Sequence, residues 1–323
     1  MATLASLALR APMRILIVFF ALLIGAVSAS APTAAQQDAP PAATVKRIAS
    51  DLYFFFDYAG SNSVFLVTND GVLVIDTRQH PQAGQELITE IRKITDKPIR
   101  WVINSHFHGD HTFGNAAFQA AGAKFIAQQE TRRIMQKVQP KEMARRQSYF
   151  KSHNYDPNEV KLILPDVTFD KDMTVWLGGR EVRLMYLGPG QQDGDTFVYF
   201  PHAHALFTPG SFATRNIPNM AFTTSVDSWI NLLERVAGMK GVDRILPAHG
   251  DVATGADVRE FAAMLRDEYT TVKAAADKGV SLEEAQRTLT FPQYKDWRNY
   301  GRIKEEIASI YELIKTGRRS YFE

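Results

Sequence analysis

The chain has 323 residues, 45% of them apolar, so it can bury a substantial core and does not read as disordered. Its 37 basic and 35 acidic residues leave a formal charge of +2, and two of the basic ones, Arg10 and Arg14, fall in the first thirty residues. A near-neutral body gives no electrostatic ground for binding nucleic acid or an anionic membrane. The chain has no cysteine, which excludes a disulfide framework, a thiolate zinc site and a thiol nucleophile.

In chain order, Arg10 and Arg14 precede an apolar run from Ile15 to Val27 and then the small-residue stretch SASAPTAAQQ. That order describes a secretory signal peptide, with cleavage after Ala29 or Ala35. The run is short for a bilayer span, which takes about 20 apolar residues; a retained anchor is the alternative. We assign residues 1–29 to the signal, 30–43 to a Pro/Ala/Gln linker and 44–323 to a folded domain with a helical C-terminal extension. The protein is expected to be periplasmic or secreted, with no stable membrane association after cleavage.

Two β-rich runs follow, DLYFFFDY and SVFLVTNDGVLVIDT, with turn chemistry at Asn69-Asp70-Gly71. Gln82 to Ile94 has helical spacing, with Leu87, Ile91 and Ile94 on one face, and IRWVINS (Ile99 to Ser105) reads as a buried strand. Helices are expected over Phe113 to Ala121, Gln128 to Val138 and Lys141 to Lys151, the last as a charged insertion over one edge. A strand-rich middle runs from Leu162 to Phe207, broken at Gly178-Gly179, Gly188-Pro189-Gly190 and Pro201. Helices are then expected over Val226 to Ala237, Val258 to Lys278, Leu282 to Leu289 and Ile303 to Thr316, with one strand, RILPAHG, between the first two. Two strand-rich blocks, each followed by helices, predict an α/β fold of two sheets packed face to face with helices outside.

The strand IRWVINS runs into HFHGDHTFGN, which places His106, His108, Asp110 and His111 within six residues. At a strand end, residues two apart point the same way, so His106 and His108 can converge on one ion while the loop turns Asp110 and His111 toward a neighbouring point. Imidazole with carboxylate suits Zn²⁺, with bonds of about 2.0–2.2 Å.

This pattern resembles the metallo-β-lactamase superfamily, whose signature is H-x-H-x-D-H. The preceding GVLVIDT and the later ILPAHG match two further strands of that family. The resemblance implies an αββα sandwich, with His249 as a metal ligand and Asp76 orienting a ligand imidazole. It also implies one or two zinc ions and a bridging hydroxide that attacks a polarised carbonyl. Asp110 would orient that nucleophile and carry its proton toward the leaving group.

Two departures stand out. Family members read G-P-x-H-T-x-G-D where this chain has GPGQQDGD, so Gln191 takes the place of the third histidine of the first metal site. The bridging aspartate is missing as well: ALFTPGSF puts Gly210 or, with one residue of slack, Ser211 at its position. A neutral amide oxygen is a poorer zinc donor than imidazole, whereas Asp110, His111 and His249 form an intact second set. The expectation is one zinc held firmly and a second held weakly or not at all. His202 and His204 are expected in a solvated hairpin, and His80 and His153 on the surface. YFFFDYAGSNS is expected to be a strand with alternating core residues, with an aromatic flap as the alternative. Arg215 and Asn216 are candidates to meet a substrate carboxylate. The function implied is an exported zinc hydrolase of a small-molecule amide, lactam, lactone or ester. The alternative is a catalytically weakened binding protein for metal or a small ligand.

Overall fold

The computed structural model describes residues 42–58 and 60–317, so the expected signal peptide and most of the linker lie outside the described residues. The described residues open with four strands, β1 (Thr44–Arg47), β2 (Leu52–Phe56), β3 (Ser63–Thr68) and β4 (Gly71–Ile75), each antiparallel to the next. Thr68 pairs with Gly71, so the Asn69-Asp70 turn closes a two-residue hairpin loop as its composition predicts. Next come α1 (Pro81–Arg92), β5 (Ile99–Ile103), a single turn α2 (Gly109–Thr112), α3 (Asn115–Ala120), β6 (Lys124–Gln128), α4 (Gln129–Arg145), α5 (Gln147–Ser152) and β7 (Val167–Phe169). From β4 onward these strands pair in parallel, completing a seven-stranded sheet in chain order.

The second sheet has the order β12-β11-β10-β9-β8. It is built from β8 (Asp172–Leu177), β9 (Arg180–Tyr186), β10 (Thr196–Phe200), β11 (Ala205–Ala213) and β12 (Arg244–His249), with α6 (Val226–Ala237) between the last two. The helices α7 (Gly255–Asp277), α8 (Leu282–Thr288) and α9 (Ile303–Thr316) close the chain. Leu73 and Ile75 of β4 face Val198, Phe207 and Leu246 of the other sheet, and this shared layer holds the two sheets together. Val72 and Val74, one residue off, pack outward on Leu87, Ile91 and Phe118 from α1 and α3. Every residue of β4 is therefore buried, which is why GVLVI reads as an unbroken apolar run. The outer face of the second sheet packs on α6, α7 and α9 through Trp229, Phe261 and Ile307. The result is the expected αββα sandwich. No helix among the described residues is long and apolar enough to cross a membrane.

Three local departures have physical reasons. The helix expected over Phe113 to Ala121 splits at Gly114, where the chain presses on Thr77; a Cβ there would stand 1.8 Å from the Thr77 carbonyl oxygen. The helix expected to end near Val138 runs through Pro140 to Arg145. Tertiary contact overrides the proline, because buried Gln139 donates to Phe107 O at 2.7 Å and to Thr112 Oγ1 at 2.6 Å. Helix α7 starts at Gly255, ahead of the expected Val258, because Thr254 and Asp257 form a capping box.

One histidine is also corrected. His153 is exposed, but His80 is fully buried. Its Nδ1 accepts from Gln82 N at the start of α1, its Nε2 donates to Asp156 O at 2.9 Å, and its ring stacks on Tyr155 at 4.3 Å. His80 is a helix cap that pins the 150s loop.

Candidate metal centre

Strand β5 delivers the ligand loop at its carboxyl end. Phe107 turns into an apolar cluster with Ile134, Met135, Val138 and Phe222, so the alternating His106 and His108 face the other way. Their ring centroids lie 4.7 Å apart, and His106 is 4.2 Å from His111. Helix α2 then carries Asp110 and His111, and the end of β12 brings His249 from the second sheet. Asn62 sets that approach. Fully buried, it donates through Nδ2 to Pro247 O at 2.8 Å and Gly250 O at 2.7 Å, while its backbone N–H reaches Ala248 O at 2.8 Å.

Asp110, His111 and His249 form a tight triangle. His111 Nε2 and His249 Nε2 are 3.1 Å apart, and Asp110 Oδ2 is 3.3 Å from the first and 3.2 Å from the second. Ligand atoms about 2.1 Å from a tetrahedral ion stand about 3.4 Å apart, so these three donors fit one zinc. The opposite nitrogen of each imidazole is held: His249 Nδ1 donates to Gly60 O at 3.2 Å, and His111 Nδ1 donates to Asp76 Oδ2 at 2.8 Å.

Asp76 serves both halves of the centre. It sits at the end of β4, fully buried, in left-handed backbone at φ 61°, a conformation non-glycine residues rarely take. Its Oδ1 accepts from Ser105 N at 2.8 Å, and its Oδ2 accepts from Ser105 Oγ at 2.6 Å. Ser105 Oγ in turn accepts from His106 Nδ1 at 2.8 Å. Asp76 was expected from the sequence; the relay through Ser105 was not, although Ser105 directly precedes the motif.

The first set consists of His106, His108 and Gln191. Their Nε2, Nε2 and Oε1 atoms are all buried without a hydrogen-bond partner. One unsatisfied buried polar atom costs about 1–3 kcal/mol, so three in neighbouring side chains, two of them (His106 Nε2 and Gln191 Oε1) beside Gly210, describe a place built for a ligand. Gln191 Nε2 donates to Asn219 O at 3.1 Å, which turns Oε1 toward His106. Gln192 points away, donating to the buried carboxylate of Asp195, which also accepts from Ser211 Oγ. Burial pushes Asp195 up to about 7, against those two donors. Only the first of the two glutamines belongs to the site.

The missing carboxylate is located too. Of the two residues left open by the sequence, Gly210 faces the centre: a Cβ there would lie 2.4 Å from Gln191 Oε1 and 3.2 Å from His106 Nε2. Ser211 faces the other way, toward Asp195, and its Oγ accepts from Gln191 N at 3.1 Å.

The protonation states suit metal binding. Burial, with the charges of His111 and His108, holds His106 well below the ordinary histidine range. Burial lowers His108 to about 3 although Asp110 opposes it. Burial also disfavours charge on Asp110 and His111, but each favours the other's charge. Asp110 is held well below the carboxylate range, and His111, with Asp76 behind it, is raised to about 10. A cation placed among these groups takes over the role of that proton.

The remaining candidates fall elsewhere. His202 Nε2 is 3.0 Å from Asp51 Oδ1, and His204 is exposed 3.6 Å from Asp243. Arg215 is exposed and paired with Glu260 at 3.3 Å, while Asn216 reaches the cavity above the centre. The aromatic run forms strand β2, but Phe54 and Phe55 are both buried, so its core residues do not strictly alternate; among its described residues Tyr58 is the strongly exposed one. Sequence reasoning missed Arg146, Arg298 and Arg302, which line the same cavity of about 480 Å³. The two later arginines carry no motif and come from the C-terminal extension.

Two donor sets side by side at the edge of an αββα sandwich are candidate metal-binding groups. The profile of the metallo-beta-lactamase superfamily matches residues 57–249, and the chain belongs to that superfamily, whose members typically bind metal ions. Its homologues there are hydrolases. It is 22% identical over 286 residues to a linear primary-alkylsulfatase of Pseudomonas sp., covering 75% of this chain and 53% of that protein. It is 25% identical over 173 residues to a metallo-beta-lactamase type 2 of Elizabethkingia meningoseptica, covering 51% and 61%. The chain thus spans about half to three-fifths of these two relatives. Among solved structures, the stereoselective inverting sec-alkylsulfatase Pisa1 from Pseudomonas sp. superposes with a TM-score of 0.66 at 17% identity, over 84% of this chain and 50% of that one. A metallo-beta-lactamase from Pontibacter korlensis gives 0.56 at 21% identity, over 70% and 99%. These structural likenesses show the fold.

Proposed function

We propose that the chain is an exported zinc hydrolase acting on a small-molecule ester, amide or lactam. The observation that carries the reading is the compact Asp110–His111–His249 triangle beside three unpartnered buried acceptors, with His108, Asp110, Gln191 and His249 lining one cavity. Asp110, His111 and His249 would hold one zinc firmly; His106, His108 and Gln191 would hold a second weakly. Bound zinc would supply a polarised carbonyl and a water whose pKa falls toward ~7.

The protein's own groups do the rest. Asp110, the one carboxylate of the donor sets, opens partly to the cavity and would orient a nucleophile and move its proton. Asp76 keeps the His111 tautomer fixed, and Phe222 packs on His108 at 4.4 Å, closing the far side of that imidazole to solvent. The alkylsulfatase and lactamase relatives support ester and lactam cleavage as the chemistry to try first.

The second reading is a weakened binding protein for metal or a small ligand, which Gln191 and Gly210 favour. Zinc per chain, set beside turnover of a chromogenic lactam, a nitrophenyl ester and a short alkyl sulfate, separates the two. Asp110→Asn with His249→Ala should abolish turnover and lower the zinc content; full retention of both would sink the hydrolase reading. Export is tested by N-terminal sequencing of the periplasmic fraction, where a start after Ala29 or Ala35 supports it.

A further inference from the structure

The cavity above the candidate metal ligands carries positive charge that no carboxylate among the described residues neutralises. Of its two carboxylates, Asp110 is committed to His111 and His249, and buried Glu142 lies 3.6 Å from Arg146. Arg298 and Arg302 are left over. Among the described residues neither has a carboxylate within salt-bridge distance. Both lie beyond residue 249, where the family match ends.

Arg298 is mounted on a fixed frame. Its backbone N–H donates to Arg215 O at 3.0 Å, and its carbonyl accepts from Ile217 N at 2.9 Å. Its neighbour Asn299 donates through Nδ2 to Asn216 Oδ1 at 2.7 Å. The guanidinium sits 4.5 Å from the centre of the Tyr58 ring, which fixes its plane while leaving its edge donors free. Arg302 follows one turn later, its N–H donating to Asn299 O at 2.8 Å. Guanidinium groups present N–H donors in a rigid fork that matches a carboxylate or sulfate edge. Unbalanced positive charge on low-dielectric walls concentrates anions from solution.

We propose that Arg298 and Arg302 form an anion subsite at the cavity wall, holding a negatively charged group of the substrate away from the reacting bond. The hydrolase then takes small anionic substrates in preference to neutral ones. The inference deepens the hydrolase reading and rests on it for the word substrate; anion binding itself does not need turnover.

The test uses the full zinc-loaded protein and two readouts. By calorimetry, inorganic sulfate should bind the unaltered protein and bind about tenfold or more weakly to Arg298→Ala/Arg302→Ala at equal zinc content. Exposed Arg302→Ala alone serves as the milder variant should the pair perturb folding. In kinetics, the double variant should raise KM for 4-nitrophenyl hemisuccinate about tenfold with kcat little changed, leaving 4-nitrophenyl acetate unaffected. Sulfate that binds both proteins equally, or not at all to the unaltered one, overturns the subsite, as does an equal KM shift for both esters. If sulfate binding depends on the arginines but neither ester, nor the chromogenic lactam or short alkyl sulfate, is cleaved, the subsite stands and the hydrolase reading falls.

Discussion

Gln191 and Gly210 should behave as one unit. A side chain at 210 would put its Cβ 2.4 Å from Gln191 Oε1, about 0.8 Å inside the roughly 3.2 Å expected for such a contact, and 3.2 Å from His106 Nε2. Gly210→Asp alone must therefore push the amide aside, breaking its hydrogen bond to Asn219 O. Overpacking costs about 1–3 kcal/mol and the lost hydrogen bond about 1 more. Metal-free Gly210→Asp should thus lose roughly 2–4 kcal/mol in urea unfolding and bind no more zinc than the parent. Gln191→His alone should raise zinc toward two per chain, because imidazole is the better donor.

Together the two changes should be non-additive. Once the amide is gone, the new carboxylate has room, and the double variant should recover part of the lost stability and bind the second zinc more tightly than Gln191→His alone. The coupling free energy between contacting sites is expected at about 1–3 kcal/mol. The assay is a double-mutant cycle in urea on metal-free protein, with zinc content after dialysis against a competing chelator. If Gly210→Asp by itself is stable and holds two zinc ions, the amide does not occupy the space at 210, and the geometry argued for the first set is wrong.

Other outcomes follow from single groups. Asp76→Ala removes the acceptor for both His111 and Ser105, and zinc affinity should fall about 10–100-fold with the four motif ligands intact; affinity within threefold of the parent would show that the imidazoles hold themselves. Glu268 is buried with neither oxygen partnered, and burial, with Asp267 beside it, pushes it from 4.5 to about 8. The folded state keeps a proton that the unfolded chain releases, so stability falls as pH rises from 4.5 to about 8. That gap, at ~1.4 kcal/mol per pH unit, amounts to roughly 5 kcal/mol. Glu268→Gln should flatten that slope between pH 5 and pH 8 in urea unfolding; parallel curves for the two proteins would remove Glu268 as its source.

What was legible in the sequence was local or periodic. β4 announced itself because both of its faces are covered, and the motif because four of its ligand-type residues fall within six positions after a strand. What was hidden depended on register and on distant partners. The choice between Gly210 and Ser211 is made by a shift in the pairing of β11 with β12 between Thr208 and Ala213, which no residue pattern reveals. The aim of Gln191 is set by a carbonyl 28 residues away, and His80 is buried by a loop some 76 residues on. Arg298 and Arg302 reach the cavity only because the C-terminal segment folds back onto the loop after β11.

The site's tolerance of two changed positions has a structural reason. Asp76 orients His111 directly and His106 through Ser105, so the carboxylate behind the compact set also fixes an imidazole of the altered one. His106 and His108 are kept neutral by burial, and their Nε2 lone pairs stay unpartnered whether or not the third donor is strong. A weak donor at 191 then lowers affinity without loosening geometry. On the proposed reading the centre would lose its second ion and still present the first, together with Asp110, to an anion held by the arginines in the cavity above.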